Sequence, residues 1–238
     1  MNYNFGVFPI KTKQNLFLLW LKNLNITTQI IFVNILIFIL FMVCMIINQG
    51  LIKYFAIQPN AIMHGQYLWT IITSVFVHGG FFHLFINMFV LFSMGGLCER
   101  IIGRKRFFWF YIFSGIIAGL LFVVLAYFFG NSLVGAKIFG SPIDYAVGAS
   151  GAIFAIAALF MVLIPKMRFS IIFFPFFSLP GYIMIPFVLF ATWIVSSTVS
   201  FGIGNTAHLG GFLCGILYGL YLRYKYPKKI NALGRHFS

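Results

Sequence analysis

Six apolar runs, separated by short polar or basic stretches, organise the chain. They cover about Ile30–Ile47, Phe82–Ile101, Phe107–Phe129, Ser150–Leu163, Tyr182–Val199 and Ala207–Tyr224. Such runs read as membrane-crossing helices, because a hydrocarbon core of about 30 Å takes ~20 residues at 1.5 Å each. The fourth run stops at Pro165 after about 15 residues, or ~22 Å. If its Pro165 end sits at one membrane surface, Ser150 must lie in a depression below the other. The predicted fold is an all-α polytopic membrane protein, a bundle of six transmembrane helices. Residues 1–29 form a cytoplasmic or interfacial segment, 30–224 the six-span domain and 225–238 a basic cytoplasmic tail. The segment Met1–Asn25, with Pro9 and Trp20, is too irregular and too long to be a signal peptide. A short interfacial helix is predicted around Phe17–Leu24.

Composition narrows the class. The chain is 62% apolar and 8% charged, against ~45–50% and ~25% in soluble domains, which excludes soluble, disordered and collagen-like chains. The net charge of +14 is patterned. Lys and Arg cluster before the first run, after the second, after the fourth and after the sixth; only Lys53 and Lys137 fall on the other side. Positive charge marks the cytoplasmic side, so both termini are predicted to be cytoplasmic in a multi-pass protein of the cell membrane. This accounts for the basicity without a nucleic-acid partner, and the tail can touch anionic lipid headgroups. Cys44, Cys98 and Cys214 show no disulfide framework and are read as buried free thiols. The long loop from Asn48 to Phe81 is apolar enough to lie in the outer interface, with Tyr67 and Trp69 as anchors. The short 200–206 loop makes the fifth and sixth spans neighbours.

Polar residues at membrane depth carry function by default. His83 and Asn87 share one helix face, and His78 lies just upstream. Ser150 opens the fourth span within Gly148-Ala149-Ser150-Gly151, and His208 opens the sixth. Taken singly, a Ser at a helix start is a cap, a His at a helix end packs, and Asn87 is interhelical glue. Together, the topology brings all of them to the outer ends of their helices, at one depth. A Ser becomes a nucleophile beside a base, and His is suited to that work. An attacked carbonyl also needs hydrogen-bond donors where its oxyanion forms. The residues compose an acyl-transfer site: Ser150 as nucleophile, His208 as base, and His83, Asn87 and the Ser150 N–H as oxyanion donors. Gly148 and Gly151 permit close backbone approach, and a helix N-terminus favours developing negative charge. Glu99 beside Arg100 reads as an interfacial pair, and Asp144 as loop surface.

The motifs His78-(x4)-His83-(x3)-Asn87, Gly148-Ala149-Ser150-Gly151 and Ala207-His208-Leu209-Gly210-Gly211 resemble those of the rhomboid intramembrane serine proteases of the minimal six-span type. The resemblance covers about Leu51–Tyr224. It implies a Ser150–His208 dyad without an acid, an oxyanion hole at His83 and Asn87, and Phe154 stacked on the His208 ring where some members have Tyr. It further implies single-span transmembrane substrates entering between spans two and five. Glu99 matches a structural Glu of the family, and His78 is expected near the cavity mouth. Gly211, Gly215 and Gly219 form a smooth stripe that would seat span six on span four; Gly115 and Gly119 are read as similar contacts in span three. Trp69-Thr70 departs from the Trp-Arg of many members, which leaves the bracing of that loop open.

Three other readings differ in class. A metalloprotease on His78, His83 and His208 would need a His-Glu-x-x-His or a ligand carboxylate; the chain has no such motif and no carboxylate that can serve on that face, so no metal or cofactor is expected. A transporter would show repeated, broken spans. A catalytically inactive protein that binds transmembrane helices is the remaining alternative.

Overall fold

The computed structural model describes residues 24–171, 174–198 and 204–237. The helix expected at Phe17–Leu24, the early lysines and most of the 200–206 loop lie outside them. Six apolar helices follow the six runs. They are α1 (Ile26–Ile47), α4 (Phe81–Ile102), α5 (Arg104–Phe129), α7 (Ser150–Leu163), α8 (Gly181–Thr198) and α9 (Asn205–Lys225). Two short helices, α2 (Pro59–Met63) and α3 (Thr70–Thr73), lie between α1 and α4; α6 (Leu133–Phe139) precedes α7; α10 (Pro227–His236) ends the chain. Three helices, α1, α4 and α5, are long and apolar enough to cross a membrane. The apolar stretches of α7 and α8 are shorter, and α9 is diluted by glycines, His208 and basic residues at its end.

Local chemistry sets the boundaries. Asn25 caps α1 by accepting from the Thr28 N–H. A single residue, Gly103, links α4 to α5 with φ of +88°, a left-handed conformation that favours glycine. The residue before a proline is pushed out of the α region, and α7 accordingly ends at Leu163, with Ile164 outside the helical region at φ −136° and ψ 61° ahead of Pro165. The small-residue face of α7 (Gly151, Ala152, Ala155, Ala158) lets neighbours crowd in, so no residue of α7 is exposed. It packs chiefly on α9, then on α5, α4 and α8. This is the centre of the molecule.

One departure from an all-helical chain follows α7. Strands β1 (Arg168–Ile171) and β2 (Phe174–Pro180) form an antiparallel hairpin with Phe169 opposite Leu179 and Ser170 opposite Ser178. Arg168 clasps it by donating to Ser178, through both hydroxyl and carbonyl. Of the cysteines, only Cys98 is buried; Cys44 and Cys214 are half-buried, and all three are free.

Glu99 does not pair with Arg100, which instead donates to the Gly96 carbonyl. Successive residues point about 100° apart on a helix, and Glu99 faces inward. Its carboxyl oxygens accept from the Ile26 N–H (2.9 Å), the Thr27 N–H (3.0 Å) and the Thr27 hydroxyl (3.0 Å). Arg104 Nε lies 3.7 Å away. The first N–H groups of a helix have no partner within it; here a buried side chain of α4 supplies one for α1. Below this contact the helices nearly touch, with a Cβ at Gly95 only 2.6 Å from Thr27. Glu99→Ala would strand buried donors and is expected to destabilise the protein by about 3 kcal/mol, with Glu99→Gln retaining part of that. Thermal unfolding of the two variants in detergent checks both.

Candidate active site

The site is made where α7 meets α9. Along α9, Gly211, Gly215 and Gly219 face α7. A Cβ at Gly211 would lie 1.8 Å from the Gly151 carbonyl oxygen, one at Gly215 2.2 Å from that of Ala155, and one at Gly219 2.8 Å from Val162. The two backbones are thus in direct contact, an approach open only to glycine. Gly151 itself abuts Ala118 of α5. Gly115 and Gly119 of α5 differ from the reading as helix–helix contacts. They receive Val75 and Ile57 of the 48–80 segment, so they seat that loop on α5.

This packing brings the first residue of α7 to the first turn of α9. Ser150 Oγ and His208 Nε2 are 2.8 Å apart, hydrogen-bonding distance. Ser150 does not cap its helix: Ala149 holds that position, without a side-chain bond. The His208 ring stacks on Phe154, one turn along α7, with centroids 4.6 Å apart and planes at 29°. His208 is buried, and its Nδ1 has no hydrogen-bond partner among the described residues. Stacking and the Ser150 contact therefore orient the ring. Asp144 accepts from the Ser141 N–H within its own exposed turn. Such an arrangement can take a proton from the hydroxyl as it attacks.

His83 and Asn87 come from the first two turns of α4. Gly148, with φ of +130°, runs beside them: a Cβ there would lie 2.9 Å from the His83 ring and 3.7 Å from Asn87 Nδ2. That Nδ2 is buried with no hydrogen-bond partner among the described residues, a donor left over beside the strand of chain leading into Ser150. The Ser150 N–H, at a helix N-terminus, belongs to the same cluster of donors. His78 differs from the expected place at a cavity mouth. It is fully buried in the turn ahead of α4, edge-on to His83 with centroids 5.1 Å apart. The preceding 3₁₀ turn, Ser74–Phe76, directs Val77 and His78 inward.

The loops hold this constellation through contacts that the sequence does not announce. Ile57 and Ala146 exchange two backbone hydrogen bonds, of 3.0 and 2.9 Å, and the Gly148 N–H donates to the Ser74 carbonyl at 2.8 Å. The loop before α4 is thereby stitched to the loop before α7. Within the former, Trp69 Nε1 donates to Tyr54 and Thr73 to Phe55, and Trp69 packs edge-on against Tyr67. At the start of α9, Thr206 donates to the Phe139 carbonyl and Asn205 to the Ser196 hydroxyl. These bonds hold the first turn of α9, which carries His208. Among the described residues, no three His, Cys, Asp or Glu side chains gather as metal ligands.

Comparison with known proteins follows the same segments. A family model described as the rhomboid domain matches residues 65–225. The chain is 33% identical to the mitochondrial Rhomboid protein 1 of Saccharomyces cerevisiae, over 71% of this chain and 47% of that protein. It is 30% identical to the mitochondrial Presenilin-associated rhomboid-like protein of Homo sapiens, over 85% and 50%. It is 31% identical to Rhomboid-like protease 1 of Toxoplasma gondii, over 76% and 54%. The chain thus spans about half the length of these relatives.

Two outcomes follow. Gly211→Ala is expected to pry α9 from α7 and to destabilise by roughly 3 kcal/mol. Leu217→Ala, on the exposed face of the same helix, should stay within about 0.5 kcal/mol; thermal unfolding compares the two. His78 lies outside the spanning helices, and its pKa is pushed down to about 3. Burial is the main cause, His83 adds to it, and the Phe76 backbone partly opposes. An unfolded His titrates near ~6.5, so between these values only the unfolded chain takes up the proton. Stability is then full above pH ~6.5 and declines as pH falls toward ~3. The unfolding temperature should drop more steeply between pH 7 and pH 4.5 in the wild type than in His78→Gln.

Proposed function

The chain belongs to the rhomboid family, and on that premise we propose that it is an intramembrane serine endopeptidase. The single observation behind this is the 2.8 Å contact between Ser150 Oγ and His208 Nε2 at the meeting of two helix starts, with Phe154 stacked beneath the ring. In this reading all six apolar helices cross the membrane, with both termini cytoplasmic. The site opens toward the outer face, and 30–224 is the catalytic domain. Proteins with a single transmembrane helix are the substrates.

The reaction proceeds through an acyl-enzyme. His208 Nε2 takes the proton as Ser150 Oγ bonds to the scissile carbonyl carbon. The carbonyl oxygen, now an oxyanion, receives hydrogen bonds from the Ser150 N–H, His83 and Asn87. The C–N bond breaks, His208 gives its proton to the leaving amine, and Ser150 holds the acyl group as an ester. Water then attacks that ester, with His208 taking the water proton and returning it to Ser150 Oγ. Gly148 keeps the approach clear, since any side chain there would meet His83. Phe154 holds the imidazole in the position that an acid would otherwise set.

A substrate helix shields its peptide bonds by its own hydrogen bonding, so it must unwind to react. Small or helix-breaking residues near the scissile bond are therefore preferred. Entry is lateral, between α4 and α8. The packing of α8 is consistent with this, because it rests on α7, α9 and the hairpin without extensive contact on α4. No metal or cofactor takes part.

Purified protein in lipid, given a generic single-span substrate, tests the proposal. Ser150→Ala and His208→Ala should each lower cleavage by a factor of about 10³ or more, and chelator should leave it unchanged. A fluorophosphonate should label the wild type and not Ser150→Ala. Cleavage that survives both substitutions overturns the dyad. Absence of both cleavage and labelling in a folded wild type favours a helix-binding protein without catalysis.

A further inference from the structure

Between α5 and α7 the chain makes a closed excursion. Gly130 abuts the Gly140 carbonyl with no room for a side chain, so the two ends of the excursion meet. Gly140 turns the chain at φ of +86°, in the left-handed region that favours glycine. Between these two glycines stands α6, capped by Ser132, whose hydroxyl accepts from the Gly135 N–H at 3.0 Å. The inner side of α6 is seated. Gly135 is buried against the Phe129 carbonyl, the Phe139 ring lies 5.5 Å from that of Phe129, and the helix packs on α5, α8 and α9.

The other side of α6 is apolar and exposed. Leu133 is 88% exposed, Val134 68% and Ile138 40%. Leu133 and Lys137 are four residues apart, as are Val134 and Ile138, so these side chains share one face. Ile143, also exposed, follows just beyond. Contiguous apolar surface on a firmly held element marks a binding face.

The height of this face follows from α5. Phe113, Ile117, Leu120, Val124 and Phe128 form one exposed stripe along that helix, the side that meets acyl chains. Arg104, Lys105 and Arg106 stand at its start, where hydrocarbon gives way to headgroups. A core of about 30 Å takes ~20 residues, so counted from Phe107 it ends near Tyr127. The rings of Tyr127 and Phe128 stand edge-on to each other at that level, where aromatic residues collect. The lipid-facing stripe thus runs out into the excursion, and α6 begins at the boundary between acyl chains and headgroups. Residues 130–149 carry one cation, Lys137, and one acid, Asp144, so little charge draws them into water. A stable protein interface takes about 20–30 residues a side; three aliphatic side chains and a lysine fall short of that and suit a lipid surface.

We propose that α6 is a membrane-surface helix. Leu133, Val134 and Ile138 sit in the acyl–headgroup boundary of the leaflet at the Ser150 end of the bundle. The stem of Lys137 lies along them, with its ammonium among the headgroups. Phe139, the last residue of α6, accepts a 3.2 Å hydrogen bond from Thr206 in the first turn of α9. A helix seated in lipid thereby braces the turn that carries His208. The inference rests on the chain's being a multi-pass membrane protein and does not depend on its being a protease.

The test is spin labelling of the full chain in liposomes of phosphatidylcholine and phosphatidylglycerol. Cys44→Ala and Cys214→Ala remove the half-buried thiols, and Cys98 is fully buried. Nitroxides are placed in turn at Leu133→Cys, Val134→Cys and Ile138→Cys, all exposed positions. Ile117→Cys, on the lipid-facing stripe of α5, reports that the chain is inserted. Molecular oxygen, which concentrates in lipid, should relax the three α6 labels more than a water-soluble nickel chelate does, at a depth of about 5–10 Å. The Ile117→Cys label should read deeper. If the nickel chelate outdoes oxygen at the α6 labels while Ile117→Cys reads as lipid, the face lies in water and the proposal is overturned. Broadening between α6 labels that disappears on dilution with unlabelled chain would also overturn it, in favour of a second copy of the chain on this face.

Discussion

The structure depends on one approach distance, that between the backbones of α7 and α9. Where Gly211 meets Gly151 there is no room for even a methyl group. Dispersion between helices falls steeply with separation, and lipid offers no hydrophobic force to press them together. A stripe of glycines replaces side-chain bulk with backbone contact along most of α9. The Ser150–His208 distance is set by that contact rather than by either loop. Position at the site is thus a property of helix packing, with the hydroxyl and the imidazole carried at the ends of two closely fitted rods.

Around this pair the scarcity of charge governs the design. With only two acids in the chain, several polar groups inside the bundle turn to the backbone for a partner, and others, such as Asn87 Nδ2 and His208 Nδ1, find none among the described residues. Glu99 serves the start of a neighbouring helix, and Asn34, fully buried in α1, donates to the Ile30 carbonyl one turn back. His78 and His83 face each other edge-on. The loops follow the same rule, since the stretches of chain before α4 and before α7 are tied to each other by N–H to carbonyl bonds.

Most of the fold was legible because hydropathy is a strong signal over 20 residues. The six helices begin and end within four residues of the apolar runs. Depth arithmetic also brought Ser150 and His208 to one level; it carries no information on side-chain direction, which comes from Phe154 and the glycine contact. Other features left no such trace. The Arg168–Pro180 hairpin is as apolar as the spans around it and too short for a period of two to stand out. The partner of Glu99 lies 72 residues away, whereas the adjacent Arg100 points elsewhere. The pairing of Ile57 with Ala146 uses backbone atoms alone, so no residue type betrays it. Gly115 and Gly119 look like a helix–helix stripe, yet they face a loop.

The enclosure of α7 has a bearing on the bilayer itself. At 14 residues the helix is about 21 Å long, well short of a hydrocarbon core of ~30 Å, and a lipid-facing helix of that length would thin the membrane around it. None of its residues is exposed, so the mismatch never reaches lipid. Thickness is felt instead by α1, α4 and α5, whose outer faces are broad and apolar. The height of Ser150 is consequently referenced to the surrounding helices and not to the membrane. In bilayers of different thickness the serine should keep its geometry, while the lipid surface shifts up or down around it.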